Sequence, residues 1–378
     1  MELHSLGGYR LLEPLPSLTS ATRLFFACPE GAPEDAPATQ LAKVLVPGEG
    51  EADALLKAQF AHEANLLRSF SHSGIPSLRA AGSQEGVDFY VMDYIEGVDL
   101  ATLLGHRGET PRGLSKELAV YIMGQLADAL HYVHSFEVAT EQATAEQAAT
   151  EQAAPDQAAP GQAAPDQADQ AAAGEAATGE AATDQAATDG APSDTSERAS
   201  APSKAGDGFT TLEVLHRDLC PANVFLSIDG DVLLGDFGSA ASTWLAPTFT
   251  SPDAGHVAYK APERVTGSGT AAVKSDLFSL AVILWEILRG ERCFTAGNEL
   301  ATMDAIVRFD ISHSSRRVSG LSSKLSEVLR RNLDRDPERR YPHAYKVLQR
   351  LSQSPEAQSA ERSRHELATL VRGCMREG

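Results

Sequence analysis

The sequence predicts an α+β fold of two unequal lobes, the first small and β-rich, the second larger and helical. A long disordered insertion divides the second lobe. Three observations predict this. Residues 9–100 carry short β-type runs at Arg23–Ala27, Leu41–Val46 and Phe89–Tyr94, around one helical stretch, Glu51–Phe70. Residues 114–136 and those from 270 onward show helical spacing, as in Leu118, Ile122, Leu126 and Leu130. Residues 137–208 have almost nothing to bury, and a β-rich part followed by an α-rich part argues for two packed bodies with a cleft between them.

The insertion is read from composition. It lacks aromatic residues, and Val138 is its only large apolar one. It carries 2 basic residues (Arg198, Lys204) against 14 acidic, so it holds −12 of the −20 formal charge of the 378-residue chain. The flanking parts retain an ordinary −8. Near-copies of a five-residue unit begin at Thr140, Ala145, Thr150, Pro155 and Pro160, a period that fits neither a helical stripe nor a solenoid repeat. Proline at 155, 160 and 165 breaks any helix that Ala, Gln and Glu would favour. With no core to offset conformational entropy, 137–208 is expected to be disordered. A short tail, 353–378, is expected to carry a helix from His365 to Met375.

Other functions are set aside on charge and patterning. An acidic chain of pI about 4.9 is ill suited to neutralising nucleic-acid phosphates or to docking on anionic lipid. The longest apolar run, Leu277 to Leu288, is too short for a membrane span, and the N-terminus shows no signal peptide. Cys28, Cys220, Cys293 and Cys374 are widely separated, which suggests neither a zinc site nor a disulfide framework. A cytoplasmic protein is expected.

The chemistry begins with a misplaced charge. On the 51–70 helix, Phe60, Leu67 and Phe70 fall within about 40° of Leu56, and Glu63 falls among them, in the middle of the apolar stripe. A carboxylate buried there needs a cation. In the run 40–46, period two places Lys43 on the face shared by Leu41 and Leu45, so it is the available partner. Downstream stand His216-Arg217-Asp218, followed by Asn223, then Asp236-Phe237-Gly238, then Ala261-Pro262-Glu263. Two carboxylates and an amide on adjacent loops suit a hard cation such as Mg²⁺, together with a base placed for a hydroxyl.

These residues resemble the eukaryotic-type (Hanks-type) serine/threonine protein kinase family, nearest its bacterial branch. The likeness spans 9–352, with an N-lobe of about 9–95 and a C-lobe of about 96–136 plus 209–352. It implies ATP and Mg²⁺ as cofactors and protein substrates as partners, with self-association or autophosphorylation as further options. Lys43, oriented by Glu63, would hold the ATP phosphates. Asp218 would accept the substrate hydroxyl proton, and Asn223 and Asp236 would ligate Mg²⁺. Leu15, Met92 and Phe225 would line the adenine pocket, the backbone of Asp93 and Ile95 would bond the base, and Asp99 would reach the ribose. His216, Phe237 and Gly238 complete the motifs. Asp276 would brace the catalytic loop, and Arg340 would pair with Glu263. Arg217 would meet a phosphate on Thr243, Thr248, Thr250 or Ser251.

The sequence also departs from the family. Pro16 to Ala21 replaces the Gly-x-Gly-x-x-Gly loop without a glycine, so bare backbone cannot approach phosphate there. Leu41 and Phe225 are larger than the residues usual beside adenine, and overpacking would narrow the pocket. Cys220 replaces a lysine and is expected to be a space-filler. His256 replaces a threonine and is expected to be neutral at pH 7. Three readings compete, with an active protein kinase first. A pseudokinase serving as a nucleotide-binding or scaffolding module comes second. A small-molecule phosphotransferase of the aminoglycoside type comes third, and Ala261-Pro262-Glu263 speaks against it.

Overall fold

The computed structural model describes residues 4–16, 21–46, 48, 51–106, 112–139, 209–245, 255–269, 272–310, 318, 320–357 and 359–377. The disorder expected for 140–208 therefore lies outside the described residues, as do Thr248, Thr250, Ser251 and positions 17–20 of the degenerate loop.

The small lobe is a six-stranded antiparallel sheet backed by one helix. In chain order it comprises β1 (Ser5–Leu6), β2 (Tyr9–Leu15), β3 (Thr22–Pro29), β4 (Gln40–Leu45), α1 (Glu51–Ser69), β5 (Leu78–Gln84) and β6 (Val87–Asp93). The sheet order is β1-β2-β3-β4-β6-β5. Alternation divides its faces. Ala42 and Val44 join Leu6, Ala27, Val87, Phe89 and Val91 in one apolar cluster. Leu45 and Tyr90 face the other way, onto Phe60 and Leu67 of α1. Lys43 shares that second face, as period two requires. Leu56, placed on the buried stripe by the sequence, is exposed at its edge.

The larger lobe begins with β7 (Gly97–Asp99), α2 (Leu100–Leu103) and α3 (Lys116–His134). Ser115 caps α3 by accepting a hydrogen bond from the Leu118 amide. Leu118, Ile122, Leu126 and Leu130 are all buried, as their spacing predicts. Next come β8 (Glu137–Ala139), β9 (Phe209–Thr211), β10 (Val224–Ser227) and β11 (Val232–Leu234), and then α4 (Pro262–Thr266) and α5 (Val273–Arg289). The apolar run 277–288 lies within α5, whose residues from Ser275 to Ile287 are all buried. It is the central core helix, and no helix among the described residues is long and apolar enough to cross a membrane. Helix α5 stops at Gly290 in the left-handed region (φ 68°), where a Cβ would come within 2.3 Å of the Gly113 amide nitrogen. Helices α6 (Glu299–Val307), α7 (Ser323–Asn332), α8 (Ala344–Ser352) and α9 (Ala360–Glu377) complete the lobe.

Two boundaries differ from expectation. Glu137–Ala139, assigned to the disordered insertion, instead pair with Phe209–Thr211 as a two-stranded ribbon, with Ala139 opposite Phe209. Buried Val138 anchors it in the main core. The tail helix spans Ala360–Glu377, longer than His365 to Met375, and it docks on the larger lobe. Leu367, Ala368 and Val371 are buried, Arg364 pairs with Asp231 at 2.8 Å, and its Nε donates to the Asp229 carbonyl.

A buried ion pair ties α4 to the end of the lobe. Arg340 Nη1 and Nη2 donate to Glu263 Oε1 and Oε2, both at 2.8 Å, and Ser275 Oγ adds a third donor at 2.8 Å. The guanidinium lies over Phe278, 5.0 Å from the ring centroid. Arg340→Ala should leave Glu263 buried without its cation and cost about 3–5 kcal/mol in urea unfolding. Because the ribbon holds residues 139 and 209 together, replacing 140–205 with a short Gly/Ser linker should preserve cooperative thermal unfolding. Loop-closure entropy favours the shorter chain by about 0.6 kcal/mol per halving. Loss of a cooperative transition in that deletion would contradict the ribbon's role.

Candidate active site

The site lies where the small lobe's α1 and β4 meet the loops at the ends of β10 and β11. Lys43 Nζ donates to Glu63 Oε2 at 2.8 Å and stands 3.6 Å from Asp236 Oδ1. Glu63 is 2 % exposed, so its misplaced charge is a buried partner rather than a solvated one. Burial alone would drive Lys43 to shed its proton. The carboxylates of Glu63 and Asp236 outweigh it and hold the ammonium well above the usual lysine range. Buried Tyr90 lies beside them, its ring centroid 5.6 Å from Lys43 Nζ.

The loop carrying His216-Arg217-Asp218 is held from below. Asp276 in the first turn of α5 accepts from the His216 amide at 2.9 Å and the Arg217 amide at 3.0 Å, and its Oδ2 meets His134 Nε2 at 2.9 Å. Burial would raise this carboxyl, but the bond to His134, its charge and the other donors hold it below the ordinary range. The grip fixes Arg217 in a left-handed conformation (φ 67°) that costs a non-glycine residue about 1–3 kcal/mol. His216 Nε2 meets the Gly235 carbonyl at 3.1 Å, and its ring packs edge-on against buried Phe237. Phe237 in turn meets Phe70 at the end of α1, centroids 5.3 Å apart. The Gly238 amide faces Asp236 Oδ1 at 3.4 Å.

Register brings the proposed oxygen ligands together. Val224 of β10 pairs with Leu234 of β11, and the Gly235 amide donates to the Asn223 carbonyl at 3.0 Å. Asn223 and Asp236 thus leave the ends of neighbouring strands. Asn223 Nδ2 donates to the Asp218 carbonyl at 2.8 Å and to its Oδ2 at 3.2 Å. That orientation turns Oδ1, the ligand-type atom, away from Asp218. Asp236 is half exposed beside it. An amide oxygen and an open carboxylate form a hard-oxygen donor set, and these residues fit Mg²⁺.

The residues expected to line a nucleotide pocket lie on neighbouring strands of two sheets. Leu41 pairs with Met92 across β4 and β6, Leu15 pairs with Leu24, and Phe225 pairs with Asp99 across β10 and β7. Ile95 follows β6 on the segment leading to β7. The Phe225 ring lies across Gly235, where a Cβ would sit 2.8 Å from Cε2, so the larger ring is accommodated by a missing side chain. Asp93 carries a bidentate ion pair with Arg79, 2.6 Å on each arm. Asp99 Oδ1 already accepts from the Thr102 amide at 2.7 Å, capping α2. Of the four hydroxyls expected to accept phosphate, Thr243 is described, and its Oγ1 donates to the Leu212 carbonyl at 3.3 Å. Arg217 is buried, its carbonyl accepting from Arg264 Nη1 at 2.8 Å.

One expectation is reversed. His256 is not neutral at pH 7. Its backbone amide and its Nδ1 both reach Asp218 Oδ1 at 2.8 Å, and Cys220 Sγ lies 3.5 Å from Nδ1. The bond to Asp218, aided by Cys220, pushes the imidazole up to about 10. Burial would raise Asp218, but His256 outweighs it and holds the carboxyl below its usual range. His134 and Gly235 are functional neighbours that motif reading passed over. His134 had a signal, since it sits four residues beyond Leu130 on the buried stripe of α3.

A protein kinase domain model matches residues 209–351, and a phosphotransferase enzyme family model matches 51–246, over half of the chain. A tyrosine-protein kinase, MasK of Myxococcus xanthus, is 25% identical over 286 residues, covering 75% of this chain and 34% of that protein. The serine/threonine-protein kinase PknB of Mycobacterium tuberculosis is 36% identical over 134 residues, covering 35% and 21% respectively. PknL of the same organism is 33% identical over 132 residues, covering 35% and 33%. The chain thus spans about a third or less of the length of these relatives.

An imidazolium raised by a carboxylate stabilises the fold below the ordinary histidine pKa and loses that contribution as pH climbs through the folded value. His256 ring resonances in an NMR titration should therefore stay in the protonated position from pH 6 to 8, about 1.5 units beyond the ordinary value of roughly 6.5. In Asp218→Asn the midpoint should return toward that ordinary value.

Proposed function

Because the chain belongs to the eukaryotic-type (Hanks-type) protein kinase family, in its bacterial branch, we propose that it transfers the γ-phosphoryl group of ATP to serine or threonine hydroxyls of proteins. The observation that carries this reading is the convergence on Lys43. Its ammonium is oriented by a buried carboxylate on one side and a solvent-facing one on the other.

In this reading Lys43 holds the α- and β-phosphates, and Glu63 keeps its ammonium from swinging away. Asn223 and Asp236 hold Mg²⁺, which when bound offsets negative charge on the phosphate oxygens. Asp218 takes the proton of the attacking hydroxyl. Its Oδ1 is committed twice to His256, but Oδ2 accepts a single long bond from Asn223 and keeps a lone pair for that proton. Leu15, Met92 and Phe225 line the adenine pocket, the backbone at Asp93 and Ile95 bonds the base, and Asp99 faces the ribose. Arg217 receives a phosphate added to Thr243, Thr248, Thr250 or Ser251 by another copy of the chain. ATP is a cytoplasmic metabolite, so this activity implies a domain facing the cytoplasm.

Acceptor class separates this from small-molecule phosphotransfer. The segment containing Ala261, Pro262 and Glu263 lies beyond residue 246 and inside the protein kinase match, and Arg340 locks it in place. That favours a protein acceptor. A second reading, a nucleotide-binding scaffold, draws on the glycine-free loop and on the doubly occupied Asp218 Oδ1.

Two assays on one preparation test the choice. Mg·ATP should raise the melting temperature, and labelled γ-phosphate should appear on the chain itself or on a generic basic protein, but not on an aminoglycoside. Asp218→Asn should reduce transfer by about 10²–10⁴-fold while retaining the thermal shift, because the base acts on the transition state. A thermal shift with wild-type transfer no greater than that of Asp218→Asn would establish the scaffold instead.

A further inference from the structure

We propose that Asp218, Cys220 and His256 together form a binding site for a thiophilic divalent cation, Zn²⁺ foremost, separate from the Mg²⁺ ligands Asn223 and Asp236. The ligand atoms of the three side chains all lie within 4.8 Å of one another. A thiolate, an imidazole nitrogen and a carboxylate oxygen are the donors Zn²⁺ takes, and Mg²⁺ does not compete for a set containing sulfur.

The spacing suits insertion of an ion. Zinc bonds of about 2.0–2.3 Å in tetrahedral geometry place ligand atoms roughly 3.3–3.8 Å apart. Cys220 Sγ and His256 Nδ1 already stand at 3.5 Å. The 2.8 Å between Nδ1 and Asp218 Oδ1 must widen by about half an ångström, and the His256 side chain, 54% exposed, has room to swing. That exposed side also gives the ion a way in, since Cys220 is buried. Coordination takes the thiolate and the neutral ring, so the thiol proton and the Nδ1 proton leave to solvent.

The arrangement is built by the backbone as well. Gly255 has φ 94° and passes so close to the catalytic loop that a Cβ would lie 2.5 Å from the Arg217 carbonyl oxygen. This approach delivers both the amide and the ring of His256 to Asp218. Occupancy removes a lone pair from the carboxylate that receives the hydroxyl proton, so Zn²⁺ inhibits transfer. That consequence rests on the kinase reading, whereas the site itself does not.

Co²⁺ serves as the spectroscopic probe on the metal-free full-length chain. Titration should give a one-to-one thiolate-to-cobalt charge-transfer band that Zn²⁺ displaces and excess Mg²⁺ leaves in place. Cys220→Ser should abolish the band, His256→Gln should weaken binding by roughly ten- to a hundredfold, and the double variant Cys293→Ser with Cys374→Ser should retain it. Independently of any variant, Zn²⁺ should protect Cys220 from alkylation, read by mass spectrometry. A folded wild type without the band, a band that survives Cys220→Ser, or alkylation indifferent to Zn²⁺ would overturn the proposal. Band present and transfer absent from the metal-free wild type would support the metal site while defeating the kinase reading.

Discussion

Asp276 is a carboxylate shut away from water, and the geometry of the catalytic loop hangs from it. Its oxygens take the amides of His216 and Arg217, and Oδ2 also meets His134 Nε2. Such a group is tolerated only while every bond to it is made, so the loop has one permitted position. From that position the consequences run outward. Arg217 is held in a conformation it would otherwise leave, Asp218 is aimed at the cleft, and His216 grips Gly235 and Phe237. Phe237 then meets Phe70, which continues the chain of contacts into α1 and so to Glu63 and Lys43. The two parts meet through packed side chains, the 3.6 Å approach of Lys43 to Asp236, and bonds such as that from the Ser71 amide to the Tyr132 hydroxyl at 2.8 Å.

In the kinase reading, the replacements near Asp218 form a compensated set. A lysine charge is missing at 220, but a charge of the same sign returns through His256, on a different strand of backbone and attached to the same carboxylate. The loss of one kind of residue and the gain of another leave the carboxylate flanked by a cation. Phe225 and Gly235 show the same logic in apolar form, since a large ring occupies the space a second residue gives up.

Much of this was legible in the sequence because it rests on periodicity and spacing. Glu63 announced itself as a charge on an apolar stripe, Lys43 as the one cation on the right face of its strand, and Glu263 and Arg340 as members of recognisable motifs. The unreadable parts depend on through-space contacts or on elements too short to show a period. The charge of His256 follows from a 2.8 Å approach between residues far apart in the chain. The docking of α9 depends on where its arginines find Asp229 and Asp231. Strands β8 and β9 are three residues each, and Glu-Val-Ala has no pattern by which to distinguish it from the repeats that follow.

That small ribbon reaches beyond its size. By pairing Glu137–Ala139 with Phe209–Thr211, it brings the two ends of the Ala-Gln-rich tract to one place on the larger lobe. A foreign sequence, such as an epitope or a fluorescent reporter, grafted at this junction would ride on the enzyme without straining it.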